Sequence, residues 1–481
     1  MCVEGGLKQM KYSKYNDVEK KLADFVVSLK YEDIPEEVID AIKRLFIDYA
    51  GLSYKGAEME SSKPVLELLG KIDSLKKINN TDGGVVAGTE FGARYEYSCM
   101  ANGIFSHSLE LDDVVNEASI HPGVVVFPAA ISAAEEIGSN GKDFITAVVA
   151  GYEVMIRLGR AINPTAHYRC GFHPTGTTGT FAAAAVVGKL TGLRSDELIS
   201  AFGISTSQTA SSLEFLNDGT WTKRFHPGWS AHSGYIGAKL ASCGFKGPRR
   251  GIEGKYGFLN SYSDDSKPEL AVENLGSEFL TLNTSIKPHA CCRYNQSPID
   301  ATLDIVKNND ITADQVDEVN VKLVGPGMQL VGEPLKKKQN PENIVDAQFS
   351  LPYAVSIAIL KKRAFLDEYS EELINSAQVK NLMKKVSCSR DSNLETEFPK
   401  KWPCEVAIKT VEGQVFNSKI DHPKGDPENP LCEDELILKF KSFTDKMPQD
   451  QQEKFIEEVY SLENIQDIND LSAYLSLFHH K

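Results

Sequence analysis

A chain of 481 residues is longer than one ordinary core, and 41% hydrophobic with 25% charged residues is the composition of a globular protein rather than a disordered one. The formal net charge of -15 argues against a nucleic-acid partner, since neutralising phosphates needs a basic face, and no apolar run of about 18 residues predicts a membrane span. Nine cysteines with no CxxC pair and no framework spacing, behind an amino end (MCVEGGLKQMKYSKYNDVEKK) that lacks a signal core or a transit-peptide composition, lead us to expect a reduced, cytoplasmic protein.

The first half reads as helix after helix. In IPEEVIDAIKRLFIDYAG the residues Val38, Ile39, Ile42, Leu45, Phe46 and Tyr49 recur at three- and four-residue intervals, between Pro35 and Gly51. Similar patterns predict helices around 17–30, 94–111, 123–137, 142–160, 175–192, 195–213 and 229–243, and the run FAAAAVVGKL is apolar nearly all round, as in the interior of a bundle. From about residue 270 the character changes. EVNVKLVG and CEVAIKTVEGQVF alternate like half-buried strands, the second with a turn at Glu412-Gly413, and helices are predicted at 297–307 and 346–361 between them. The Pro-rich loop DHPKGDPENP closes this part, and amphipathic helices near 433–443 and 449–462 can return to the first bundle. The expected fold is mainly α: an all-helical domain of residues 1–268 plus 427–481, with an α+β lid domain, 269–426, inserted.

Four stretches carry residues suited to chemistry. SHSLELDDVVNEASIHPG, residues 106–123, gathers His107, Glu110, Asp112, Asp113, Glu117 and His121. If 94–111 is one helix, His107 and Glu110 share a face, and the helix frays at Asp112-Asp113. The run suits a solvated helix end, a metal site or the wall of a pocket that moves protons. A metal is the weakest of these, because His107 and His121 lie far apart in sequence with no HxxxH. CGFHPTGTTGTFAAAAVVGKL places His173 before a helix whose first turn holds Thr175, Gly176, Thr177, Thr178 and Gly179, either to admit a carboxylate to backbone N–H groups or to pack helices closely. TWTKRFHPGWSAHSG groups Lys223, Arg224, His226 and His232 with two of the three tryptophans ahead of a helix, as a carboxylate anchor or a solvated basic helix start. SIKPHACCRYNQSPID offers Lys287, His289, Arg293 and Tyr294, and its Cys291-Cys292 pair reads best as small buried hydrophobes. No Walker loop, GxGxxG, GxSxG or zinc spacing is present, which fits an enzyme of small polycarboxylates that uses no metal and no organic cofactor.

Taken together, ELDDVVNEASIHPG, GFHPTGTTGTF, KRFHPGWSAHSG and KPHACCRYNQSPIDA, with DAQFSLPYAVSIAIL at 346–360, resemble the MmgE/PrpD family of 2-methylcitrate dehydratases, cis-aconitate decarboxylases and iminodisuccinate epimerases, over residues 20 to 460. The resemblance implies a homodimer, a pocket between a helical domain and a smaller lid, and neither metal nor cofactor. It implies that His121 and His173 are the pocket histidines, that Lys223 and Lys287 are its cations, and that Glu110 stands where many members have an acid. Arg224 and Arg293 are expected to help bind the substrate. Val114 replaces the Thr that follows the acidic pair in the animal decarboxylases and the standard dehydratases, and Leu109 and IHPGV also depart from the dehydratase, so the run is closer to the fungal decarboxylase and epimerase-like branches. The expected activity is that of a lyase of small tricarboxylates, by dehydration or decarboxylation, with proton transfer at a carbon next to a carboxylate. Epimerisation of a dicarboxylate such as iminodisuccinate is the alternative, and a non-catalytic dimer a third.

Overall fold

The computed structural model describes residues 17–72, 74–77 and 83–477; the reading of the amino end therefore falls largely outside the described residues, with Cys2. Helices dominate. The first half contains α1 (Val18–Ser28), α2 (Glu36–Gly56), α3 (Tyr95–His107), α4 (Gly123–Ile137), α5 (Gly141–Ala161), α6 (Pro174–Leu190), α7 (Ser195–Thr206) and α8 (Thr222–Ser242). Their cause is the periodicity noted above. In α2, Glu36 and Glu37 occupy the first turn, where the helix dipole favours anions, and its stripe delivers Phe46 to within 5.2 Å of Phe127 and 5.4 Å of Phe144. The alanine-rich helix α6 lies at the centre: Phe181 to Val187 are all fully buried, as an all-round apolar surface requires.

Small residues set how closely the helices cross. A Cβ at Gly228 of α8 would lie 2.2 Å from the carbonyl oxygen of Met100 in α3, and one at Gly234 would lie 2.4 Å from that of Thr180 in α6. These contacts bring the basic turn of α8 down onto the ends of α3 and α6.

The second half carries a four-stranded sheet. Its strands β3 (Val316–Leu323), β4 (Val386–Arg390), β5 (Cys404–Thr410) and β6 (Val415–Ile420) are ordered β4-β3-β5-β6, with β3 and β4 parallel and the other pairs antiparallel. Val319, Val321, Val406 and Ile408 face a core shared with α9 (Gln296–Asn308) and α10 (Leu351–Lys361), while the opposite face meets solvent. The β5–β6 turn uses Gly413 at φ 84°, a left-handed conformation that glycine adopts without a Cβ clash. After the sheet, α11 (Glu433–Phe443) and α12 (Gln449–Tyr460) place Leu436, Phe440 and Phe455 in the same core as Phe46. A two-residue ribbon, β1 (Val114–Val115) paired antiparallel with β2 (Thr284–Ser285), joins the two halves beside the site.

Several expected boundaries differ. Helix α3 ends at His107, and Glu110 has φ 56°, so His107 and Glu110 do not share a helical face. The third His-Pro, His226-Pro227, lies inside α8 instead of preceding it, because the helix already starts at Thr222, and Pro227 there leaves the carbonyl of Lys223 without its helical donor. The stretch 346–361 is two helices, Ile344–Gln348 and α10, since Ser350 accepts the Tyr353 N–H as an N-cap and Pro352 starts a new first turn. Helix α7 stops at Thr206, and β4 and the short helices at 371–383 fall where no element was expected.

Candidate active site

The turn after α3 brings three acidic side chains indoors. Lys439 of α11 donates to the carbonyl of Leu111 (2.8 Å) and to that of Lys287 (2.8 Å), and pairs with Asp48 at 2.6 Å, so one buried ammonium ties the 108–112 turn to the 285–292 segment. Next in the chain after Leu111 is Asp112. Its carboxylate meets His107 Nδ1 at 2.9 Å, His121 Nδ1 at 2.8 Å and Lys287 Nζ at 3.2 Å, with its side chain 1% exposed. Asp113 turns the other way. It accepts the N–H of Gly123 on both oxygens and the hydroxyl of Tyr152 at 2.7 Å, and a Cβ at position 123 would lie 3.0 Å from that carboxylate, which accounts for the glycine of HPG.

His121 lies 2.6 Å from the Asp113 carbonyl oxygen through the same Nδ1 that faces Asp112. Both neighbours accept, so Nδ1 carries the hydrogen and Nε2 keeps its lone pair. The backbone N–H of His121 donates to Thr175 at the start of α6, which sets the ring beside His173, the N-cap residue of that helix. The His121 and His173 ring centroids are 6.3 Å apart, and His173 Nδ1 is 3.2 Å from His226 Nδ1 in α8. Lys223, one turn before His226, pairs with both oxygens of Glu110 and lies 5.2 Å from the centre of the Phe349 ring.

These groups meet at one cavity of about 600 Å³, open space at its mouth included. Glu110, His121, His173, Lys223, Lys287 and Arg293 all line it. Arg293 is anchored by Asp426, donates to Asn116 at 2.8 Å and lies 5.3 Å from the Trp402 ring. Arg224 is placed elsewhere: its guanidinium donates to Ser61 at 3.0 Å and is not among the lining groups. His289 bonds Asp300 at 2.9 Å, and His232 stacks on Trp229. Cys292 lines the cavity, and burial pushes its thiol up, away from the thiolate a nucleophile needs. The glycines of the α6 first turn serve packing: a Cβ at Gly176 would meet Ser211, and one at Gly179 would meet Val125. Among the described residues, His422, Asp426 and Glu428 bring three possible metal-ligand atoms within 4.8 Å of one another, but Asp426 is already bonded by Arg293 and Ser285.

The electrostatics follow from burial and charge. Burial resists ionisation of Glu110, yet Lys223, Lys287 and His107 together hold its carboxyl at about 2. Asp112 is likewise held well below the carboxylate range, against its own desolvation, by His121, Lys287 and His107. Desolvation lowers His121 to about 4 although Asp112 pulls the other way, and it drives His173 well down with the help of His226 and Lys223. Lys287 is raised, since Asp112 and Glu110 outweigh its desolvation. At neutral pH His121 and His173 are thus unprotonated beside a protonated Lys287.

Lys439 is the residue that reading the sequence missed, and Asp112 was grouped with the other acids of its run without the orienting role the structure gives it. The acidic pair looked like a fraying helix end. Lys439, however, falls on the apolar stripe Leu436, Phe440 and Phe443, and a lysine on such a stripe signals a buried charge.

Residues 20–271 match the MmgE/PrpD N-terminal domain and residues 289–464 the MmgE/PrpD C-terminal domain. The chain is 25% identical to the cis-aconitate decarboxylase of Aspergillus terreus, over 95% of its own length and 96% of that protein's. It is 27% identical to the cis-aconitate decarboxylase-like protein oryM of Aspergillus oryzae, over 96% and 97%, and 25% identical to the cis-aconitate decarboxylase of Mus musculus, over 95% and 93%. Two domain matches covering most of the sequence, with the cavity lined by both, place this chain in the MmgE/PrpD family.

Proposed function

We propose that the protein is a lyase of a small polycarboxylate, acting by decarboxylation of a cis-aconitate-type acid or by dehydration of a 2-methylcitrate-type acid, with every step carried by side chains and no cofactor. The observation that supports it best is His121: Nδ1 is committed to Asp112 and the Asp113 carbonyl, which leaves Nε2 as a base on a ring that shares its cavity with Lys223 and Lys287. In a dehydration, His121 Nε2 takes the proton from the carbon next to a carboxylate, the C–O bond breaks, and the departing hydroxide takes a proton from a lysine. In a decarboxylation, the C–C bond breaks, carbon dioxide leaves, and the electron pair left on carbon is protonated once, by Lys287 or by a histidine whose affinity for a proton rises beside the bound anion. Lys223, Lys287 and Arg293 supply the charge that holds the carboxylates. Catalysis in a water-excluding site suits a sheet-bearing half that closes as a lid over the helical half.

Two histidines 6.3 Å apart also suit an epimerase, in which one unprotonated ring takes the proton from one face of a carbon and the other, protonated beside the bound anion, returns one to the opposite face. Proton NMR in deuterated water, with cis-aconitate, 2-methylcitrate and racemic iminodisuccinate in separate tubes, decides between them. Itaconate or 2-methylaconitate is the outcome expected of the lyase. Deuterium uptake with no new product would replace it by the epimerase, and no change in any tube would sink both.

The protein is further proposed to be a homodimer. Trp221, Phe225 and Trp229 are exposed at four-residue spacing along one side of α8, with Phe225 and Trp229 stacked at 5.6 Å. Such a stripe of aromatic side chains suits a partner surface.

A further inference from the structure

His226 takes no part in the chemistry above, although it touches a residue that does. It is not among the groups lining the cavity. Phe215 is, and its ring meets that of His226 at 6.0 Å and 70°, so His226 stands one layer behind the wall. From there its Nδ1 reaches to 3.2 Å from Nδ1 of His173, both residues being buried. The helices build this pairing. Ser230, one turn after His226, has its hydroxyl 2.6 Å from the carbonyl oxygen of Gly176 and 2.9 Å from that of His226, which ties α8 to the first turn of α6. The backbone N–H of His173 donates to the carbonyl of Ser211 at 2.9 Å and fixes the other member.

Two ring nitrogens at that distance share one hydrogen, so one ring donates and the other accepts. A protonated His226 would repel a proton on His173. Burial, then His107 and Lys223, hold His226 at about 3, however, and His173 is held well down too, so at neutral pH both rings are neutral. The direction of the bond follows from charge. With Nδ1 turned to His226, Nε2 is the His173 nitrogen left for the cavity, where Lys223, Lys287 and Arg293 stand against Glu110 alone. That field favours a lone pair over an N–H, and so places the His173 hydrogen on Nδ1.

We infer that His226 is a positioning residue: by accepting the Nδ1 hydrogen of His173 it gives the cavity a second imidazole base beside His121. This rests on the acid–base reading above and assigns the residue behind one of its two histidines. When His173 gains a proton at Nε2 beside a bound anion, the bond to His226 becomes charge-assisted and tightens, which raises the proton affinity that a return step needs. Asp112 supports His121 in the same way with a full negative charge; the neutral His226 supports His173 more weakly, so His121 is the stronger base of the two.

Nitrogen-15 NMR of the full-length, histidine-labelled protein without substrate reads the tautomer, with the His173 signals assigned by their loss in His173→Gln. His173 is expected to carry its hydrogen on Nδ1 and none on Nε2. In His226→Leu that pattern should be lost and kcat fall about tenfold or more with KM little changed, the worth of one hydrogen bond to a charged group. In His226→Asn, whose amide oxygen can accept in place of Nδ1, most of kcat should return. A parent protein with the His173 hydrogen on Nε2 overturns the inference before any variant of His226 is made. So does a His226→Leu protein of unchanged circular dichroism whose kcat stays within about threefold of the parent. The two readings fail separately, because the tautomer is read with no acid present. An Nδ1–H His173 in a protein that converts no acid keeps the pairing and removes the lyase, whereas conversion of cis-aconitate with an Nε2–H His173 keeps the lyase and removes the role of His226.

Discussion

His121 is fixed by acceptors on one nitrogen, and that arrangement gives it two measurable properties. With Nε2 as the base, His121→Gln is expected to lower kcat by about a hundredfold or more while circular dichroism stays unchanged, the usual worth of a general acid–base residue. A kcat within threefold of the parent would remove His121 from the mechanism. Because desolvation holds its pKa at about 4, below the ordinary histidine value of about 6.5, the imidazole stays neutral through the range in which an exposed histidine titrates. A histidine-labelled sample, with the His121 signal assigned by its loss in His121→Gln, should show no midpoint between pH 5.5 and 8. Lys287 contributes to that depression, so Lys287→Met is expected to move the midpoint upward as well as to raise KM. A midpoint that stays put would separate the lysine from the histidine.

At the scale of elements, α11 is a support for the site although it lines none of the cavity. Burial pushes Asp48 up and Lys439 down, toward neutrality, against their mutual attraction, so the pair is held by its surroundings more than it holds them. Lys439→Met alone leaves a buried Asp48 and the carbonyls of Leu111 and Lys287 without their donor, and is expected to destabilise the protein by about 3–5 kcal/mol in urea unfolding. Asp48→Leu combined with Lys439→Met should recover most of that stability but not the turnover, because the tether between the Asp112 turn and Lys287 is still missing. Recovery of both would make the tether purely structural.

The elements also show what could be read without coordinates. The helices of the first half were legible because a 3.6-residue apolar period is hard to produce any other way, and the β5–β6 hairpin because alternation ends at Glu412-Gly413. The break at Phe349-Ser350 was hidden by an apolar run that continues across it, although Ser350 and Pro352 are a capping signal. Strand β4, VSCSR, has little apolar character and takes its place from its parallel partner, Val319 to Leu323. In the site, histidines and lysines stood out against an acidic chain. The carboxylates that orient them did not, since an aspartate in a loop looks the same whether it faces water or two histidines and a lysine.

At the scale of the molecule, a net charge of -15 repels an approaching polycarboxylate before the local cations can attract it. Raising the salt concentration from low to physiological should therefore increase kcat/KM severalfold with little change in kcat, through screening of the long-range field. A decrease would show that the cavity's own cations govern the encounter. For the proposed dimer, Phe225→Arg should shift the mass measured by light scattering to that of one subunit; an unchanged dimer would place the interface elsewhere.

The ribbon of Val114–Val115 and Thr284–Ser285 has a mechanical consequence. It is flanked by Asp113, just before one strand, and Lys287, just beyond the other, and Lys439 fastens the same two segments through the carbonyls of Leu111 and Lys287. That side of the site is a seam stitched twice, and it cannot part without unpicking the carboxylate on which both histidines and the lysine depend. An opening that kept this carboxylate in place would have to start at the far rim, where Phe215, Leu216 and Phe349 line one cavity and a lysine, Lys337, reaches across to the carbonyl of Asn217.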